Sequence, residues 1–146
     1  GQISWDGRPV SEDAQVFRGQ FALYGHRTGF KQDLTPLENL QFDAMLRPIM
    51  QSSPEDVLKS VGLERQMGLP MRQLSAGQQR RAALARMLIA NVPLWMMDEP
   101  FTNLDREGRA LVMELVEEHC ATGGMCVMAA HQDVEIKAPT TRVKIQ

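Results

Sequence analysis

Apolar residues gather late in the chain into two nearly unbroken runs and elsewhere into stripes of helical period. Val92 to Met97 is almost continuous apolar sequence with Pro93 near its start, which predicts a strand covered on both faces in a parallel sheet. Met125 to Ala130 predicts a second buried strand, Phe17 to Tyr24 a short one with a turn after it, and Thr141 to Ile145 a final one. Helical signals lie between them. At Thr35-Pro36-Leu37-Glu38, Thr35 caps, Pro36 fits the first helical position and Glu38 completes a capping box, with Leu37, Leu40 and Ala44 on one face. Ser53-Pro54-Glu55-Asp56 repeats the device, with Val57, Leu58 and Val61 buried and Gly62 as the stop. A third helix follows Ser75, where Leu84, Met87 and Leu88 recur at helical spacing, and a fourth carries Leu111, Val112, Leu115 and Val116 up to Gly123-Gly124. The alternation of strand and helix predicts an α/β fold whose parallel-sheet core, about residues 91–146, follows an inserted helical subdomain, about residues 35–90.

Two of these boundaries carry chemistry. Ser75-x-x-Gln78 reads as a capping box, and Ala76 and Gly77 are too small to shield the backbone amides. A helix N-terminus with free N–H groups is a ready phosphate site. An ordinary capped helix with a basic, solvated side carrying Arg80, Arg81 and Arg86 accounts for the same residues. The Val92 to Met97 strand ends abruptly in Asp98 and Glu99. Beyond the carboxyl ends of parallel strands is where ligands gather, and adjacent carboxylates there suit divided labour: Asp98 toward Mg²⁺ and Glu99 toward an attacking water. A solvated acidic turn before Pro100 is the plain alternative. The other buried strand ends at His131, which would then sit at the same edge of the sheet and within reach of a terminal phosphate.

Composition narrows the class. The 146 residues are 43% hydrophobic and 23% charged, as in ordinary globular proteins. A net charge of −2 gives no basic stripe for nucleic acid or an acidic membrane surface. No apolar run approaches the length of a transmembrane helix. Cys120 and Cys126 form neither a disulfide framework nor a spaced metal site, and read as reduced structural thiols.

The order LSAGQQRRAALARMLIA, LWMMDEP, TNLD, then a strand ending in His131 resembles the nucleotide-binding domain of ABC ATPases. The likeness covers most of the chain, from Gly1 to the Thr141–Ile145 segment. It implies a signature motif at Ser75, Gly77 and Gln78, a Walker B strand ending in Asp98 with the catalytic Glu99, a D-loop ending in Asp105, and the switch histidine His131. It further implies ATP and Mg²⁺, a homodimer of nucleotide-binding subunits closing face to face around ATP, and integral membrane subunits as partners, with the chain peripheral on the cytoplasmic side of a bacterial inner membrane. In such a dimer Ser75, Gly77 and Gln78 would meet the nucleotide of the other subunit. Asp98 would help fix Mg²⁺, Glu99 would polarise water, His131 would contact the γ-phosphate and Asp105 would bridge the subunits.

Two departures from the family pattern refine the expectation. The position after the Phe17–Tyr24 strand, usually a glutamine that senses Mg²⁺ and the membrane subunit, is His26 here. A loop histidine without special role fits equally. The string YGHRTGFKQDLTPLENL and the Pro100-Phe101 pair after Glu99 are similar to the ATP-binding subunit of the haem exporter of cytochrome c maturation. No GxxxxGK[ST] string occurs in the sequence, and Gly1 to Gly7 resembles the strand and turn that follow the P-loop helix. The chain is therefore expected to be the C-terminal portion of an incomplete P-loop NTPase domain, with about 30 residues or more preceding it, and to be inactive in ATP hydrolysis alone. Other readings are a subunit of another small ABC transporter, a noncatalytic partner lending its signature in trans, and an ABC ATPase acting on DNA or ribosomes. The last would call for a coiled-coil insertion or basic arm, which the sequence does not contain.

Overall fold

The computed structural model describes residues 1–46, 52–130 and 136–143. The chain opens with a small antiparallel hairpin, β1 (Ser4–Trp5) and β2 (Arg8–Pro9), followed by a one-turn helix α1 (Ala14–Arg18). The core is a parallel sheet in the order β3 (Phe21–Tyr24), β4 (Leu94–Asp98), β5 (Met125–Ala129). Its register aligns Ala22, Trp95 and Cys126 across one row and Leu23, Met96 and Val127 across the next.

β4 is central and buried along most of its length, as its apolar run demands, and only its last residue, Asp98, is exposed. β5 differs from the expected buried strand. Among the described residues it is an edge, with Val127 63% exposed, and Leu23 on β3 is 64% exposed. Both residues lie in the same row of the sheet, so one face is open among the described residues while the other packs against helices.

Those helices are α4 (Ala76–Ala90) and α5 (Arg106–Ala121). α4 is enclosed nearly all round, because β3 and α5 lie against it on one side and α2 (Pro36–Met45) and α3 (Pro54–Ser60) on the other. Its small residues Ala82, Ala83, Ala85 and Ala90 are all buried, which lets those neighbours approach closely. α4 ends at Asn91, whose φ of 44° is the left-handed cap conformation that asparagine tolerates. α2 and α3 begin as the sequence predicts: Thr35 and Glu38 form a complete capping box, and Ser53 Oγ accepts from the Asp56 amide. They form a helical lobe around Leu40, Leu58, Val61, Leu63 and Met71, each 0% exposed.

Two local expectations are corrected. The strand predicted from Phe17 begins only at Phe21, because Asp13 accepts from the Val16 amide at 3.1 Å and caps α1 instead. Phe17 then packs 5.7 Å from Trp5 and 5.2 Å from Phe21, ring centre to ring centre. Residues 141–143 form no strand, and 144 and 145, the rest of the expected final strand, lie outside the described residues.

Candidate nucleotide site

The three core strands end together. Tyr24 is level with Met97, and Asp98 with Ala129, so Gly25 and His26 after β3, Asp98 and Glu99 at the end of β4, and the chain leaving β5 emerge at one edge. His131, two residues past β5, lies outside the described residues. His26 is exposed in its loop.

Asp98 and Glu99 leave β4 differently. Asp98 is exposed, whereas Glu99 is half-buried and has a left-handed backbone, φ 49°. Its amide donates to the Ala129 carbonyl at 2.9 Å and its carbonyl accepts from the Thr102 amide at 3.2 Å. A non-glycine residue held in this region costs on the order of 1–3 kcal/mol and persists only where its surroundings over-determine it. The left-handed backbone ends the alternation of the strand at Glu99. Asn103, φ 60°, repeats the conformation four residues on, and the turn closes at Asp105, whose Oδ1 caps α5 by accepting from the Gly108 amide at 2.7 Å.

The start of α4 lies beside this turn. A Cβ on Gly77 would come 3.6 Å from the Asn103 carbonyl oxygen, an ordinary contact, and Gly77 has no positive φ. Neither packing nor backbone conformation requires glycine there, so its distinguishing property is the bare amide it offers to an approaching ligand. The capping box is complete: the Ser75 amide donates to Gln78 Oε1 at 2.9 Å and the Gln78 amide to Ser75 Oγ at 3.2 Å. These two amides are thereby satisfied within the box. Those presented outward at the helix start are Ala76 and Gly77.

Asp98, Glu99, Asp105, Ser75, Gly77 and Gln78 thus belong to one end of the fold, with Arg81 Nη2 3.8 Å from Asp105 Oδ1 as a tie between α4 and the turn. Among the described residues no cluster of three or more histidine, cysteine or acidic side chains is arranged to hold a metal. A single exposed carboxylate such as Asp98 fits Mg²⁺, which keeps several waters and binds through one or two carboxylates and substrate phosphates.

The arginines of α4 are where sequence reasoning erred. They are not a solvated basic side. Arg80 is 5% exposed and donates to the Gly25 carbonyl at 2.9 Å. Arg81 donates to the Val61 carbonyl at 3.3 Å. Arg86 donates to the Thr28 carbonyl at 2.6 Å and to Asp43 Oδ2 at 2.5 Å, over the ring of Phe30.

The model of the ABC transporter family matches residues 1–102. The chain is 42% identical to the cytochrome c biogenesis ATP-binding export protein CcmA of Methylococcus capsulatus, over 94% of this chain and 67% of that one. It is 39% identical to the protein of the same name from Pasteurella multocida, over 92% of this chain and 64% of the other. The chain thus spans about two thirds of the length of these relatives. Among solved structures, a dimeric ATP-binding cassette in a post-hydrolysis state with ADP and Pi matches with a TM-score of 0.78 at 25% identity, covering 90% of this chain and 63% of that one. An ATP-binding subunit of an ABC transporter matches with a TM-score of 0.75 at 25% identity, covering 90% and 57%. On the family match over residues 1–102 and these likenesses, the chain belongs to the ABC transporter family, within its ATP-binding domains.

Proposed function

We propose that this chain is part of the ATP-binding and ATP-hydrolysing subunit of an ABC transporter that serves haem export in cytochrome c biogenesis. It would work at the cytoplasmic face of a bacterial inner membrane through integral membrane partners. No helix among the described residues is long and apolar enough to cross a membrane. The observation that carries the reading is the meeting of the bare Gly77 amide, at the start of a capped helix, with the strained turn that follows Asp98 and Glu99.

The residues divide into two half-sites. Ser75, Gly77 and Gln78 serve the nucleotide of a second subunit: the capping box holds the first turn of α4 in shape, and the outward amides with the helix dipole favour phosphate oxygens. Asp98 would hold Mg²⁺, which would neutralise phosphate charge. Glu99, fixed by its kink, accepts a proton from the attacking water. His131 hydrogen-bonds the terminal phosphate. Asp105 crosses to the second subunit from the end of the turn, and the His26 loop reports the state of the site to the membrane subunits. Phosphoryl transfer asks little of a protein beyond positioning and charge stabilisation, and each of these roles is one of the two.

Complementation tests the trans arrangement. Glu99→Gln removes the base and should lower ATP turnover by about 100-fold or more. Gly77→Asp places a carboxylate where a phosphate should sit and should do the same. Two-site heterodimers of the two variants contain one wholly unmutated site if Gly77 and Glu99 act across the interface. Mixing them, in the protein as expressed from its own gene, should therefore restore a large share of turnover. No recovery on mixing, with heterodimers verified, would place both residues in the same site and sink the proposal.

A further inference from the structure

Arg80 is a charged residue enclosed by the fold, and its one charge-bearing group is directed at a backbone carbonyl of the His26 loop. Nη1 donates to Gly25 at 2.9 Å across 55 residues of sequence, and the guanidinium carbon lies 5.3 Å from the ring centre of Tyr24, itself 1% exposed. A guanidinium removed from water is costly unless its donors are used. An alanine or leucine would fill a helix interior at this position without that cost, so packing alone does not account for Arg80.

Six residues further on, about 9 Å along the helix axis, Arg86 donates to the Thr28 carbonyl at 2.6 Å and is braced by Asp43 and by Phe30, 3.9 Å from its guanidinium carbon. The segment from Gly25 to Thr28 is therefore fastened at both ends to the helix that begins with Ser75 and Gly77. His26, exposed, lies between the two anchors. Arg81 points elsewhere, to Val61 and Asp105, so the grip on this loop comes from Arg80 and Arg86.

We propose that Arg80 is a positioning residue that fastens the His26 loop to the signature helix, so that the phosphate-facing surface of Ser75 to Gln78 and the loop at His26 shift as one body when a nucleotide site closes. The proposal rests on the nucleotide reading above. Its physical content is that a displacement of α4 reaches His26 through one buried hydrogen bond, without a chain of intermediate side chains. Arg86 stabilises the far end of the loop but is half-exposed and shared with α2, so Arg80 carries the specific link.

The test uses the protein as expressed from its own gene, alone and with its membrane subunits, and compares Arg80→Gln with Arg80→Lys. Gln loses the charge and the reach; Lys keeps the charge but replaces a planar, preorganised donor by a flexible one. Amide hydrogen exchange at residues 25–28 should quicken by about tenfold in Arg80→Gln while the interior amides of α4 stay protected. Basal turnover and KM should remain within about twofold, because Arg80 touches no nucleotide-facing group, while stimulation by the membrane subunits falls by about fivefold or more. Arg80→Lys should fall between. Should Arg80→Gln fail to fold, Arg80→Lys alone carries both readouts. Unchanged loop exchange, or equal losses of basal and stimulated turnover, overturns the proposal. Absence of ATP turnover in the unmutated protein overturns instead the nucleotide reading beneath it, whatever the exchange data show.

Discussion

His119 lies flat on Trp95, ring centres 4.1 Å apart and planes 7° from parallel, with its Nε2 buried and without a hydrogen-bond partner among the described residues. Its other side is closed by Gly124, where an added Cβ would come 2.3 Å from the ring. Burial lowers the His119 pKa below its ordinary value, with the backbone at Pro93 and Met125 opposing. The native state thus disfavours the imidazolium, and the unfolded chain binds more protons. Stability from this site is complete above the unfolded pKa of about 6.5 and is lost as pH falls below it toward the lower folded value. Urea midpoints taken at pH 7.5 and pH 5.5 should drop more for the wild type than for His119→Gln; equal drops would refute the assignment. Gly124→Ala should destabilise by about 1–3 kcal/mol, since the added Cβ would fall on a ring already stacked on Trp95. Cys126, two residues along β5, has its thiol pushed up to about 11, first by burial and then by Cys120, so alkylation at neutral pH should be slow in the folded protein and fast in denaturant.

At the scale of elements, α4 organises the molecule and Asn39 plays a comparable part in α2. Asn39 is 4% exposed, accepts from the Lys31 amide at 3.0 Å, and donates to the carbonyls of Lys31 and Thr35 at 3.1 and 3.0 Å. It ties the loop before α2 to the helix itself. Asn39→Ala takes the partner from the Lys31 amide, while the Lys31 and Thr35 carbonyls keep the Leu34 and Asn39 amides, and should cost about 1 kcal/mol, readable as a lowered denaturant midpoint; Asn39→Asp should cost a similar amount because the two donors are lost. The caps at Thr35, Ser53 and Ser75, and the β4 strand with its terminal carboxylates, were legible in the sequence because each signal lies within a few residues of what it controls. α1 was not, since a one-turn helix offers no period and its aromatic residues suggest a strand equally well. Nor were the roles of Arg80, Arg81, Arg86 and Asn39, because for the arginines the decisive partners lie 20 to 58 residues away, beyond any local pattern. The kink at Glu99 also left no trace, since Asp-Glu-Pro is compatible with an unstrained turn.

At the scale of the whole molecule, the sheet is covered on one face and open on the other among the described residues. Leu23 and Val127 flank the half-buried Met96 across the three strands, and Met125, 49% exposed, continues the patch along β5. Periodicity misjudged this face: an apolar run predicts burial on both sides, but which side finds a covering layer is decided by tertiary structure. Contiguous exposed apolar surface of this kind promotes association, and β5, an edge strand among the described residues, adds backbone groups open to pairing. The 146-residue chain should therefore associate in a concentration-dependent way in sedimentation velocity. The pair Leu23→Thr and Val127→Thr should shift it toward monomer, since threonine keeps strand preference while removing exposed hydrocarbon. Both positions are more than half exposed, so the native fold should persist, and an unchanged far-UV spectrum checks it. A wild type that stays monomeric, or a double variant that associates as strongly, would show that this sheet face is not the adhesive one. Suppression by the double variant would instead mark the open face as the surface through which copies of the chain associate, distinct from the edge where Asp98, Glu99 and the start of α4 gather.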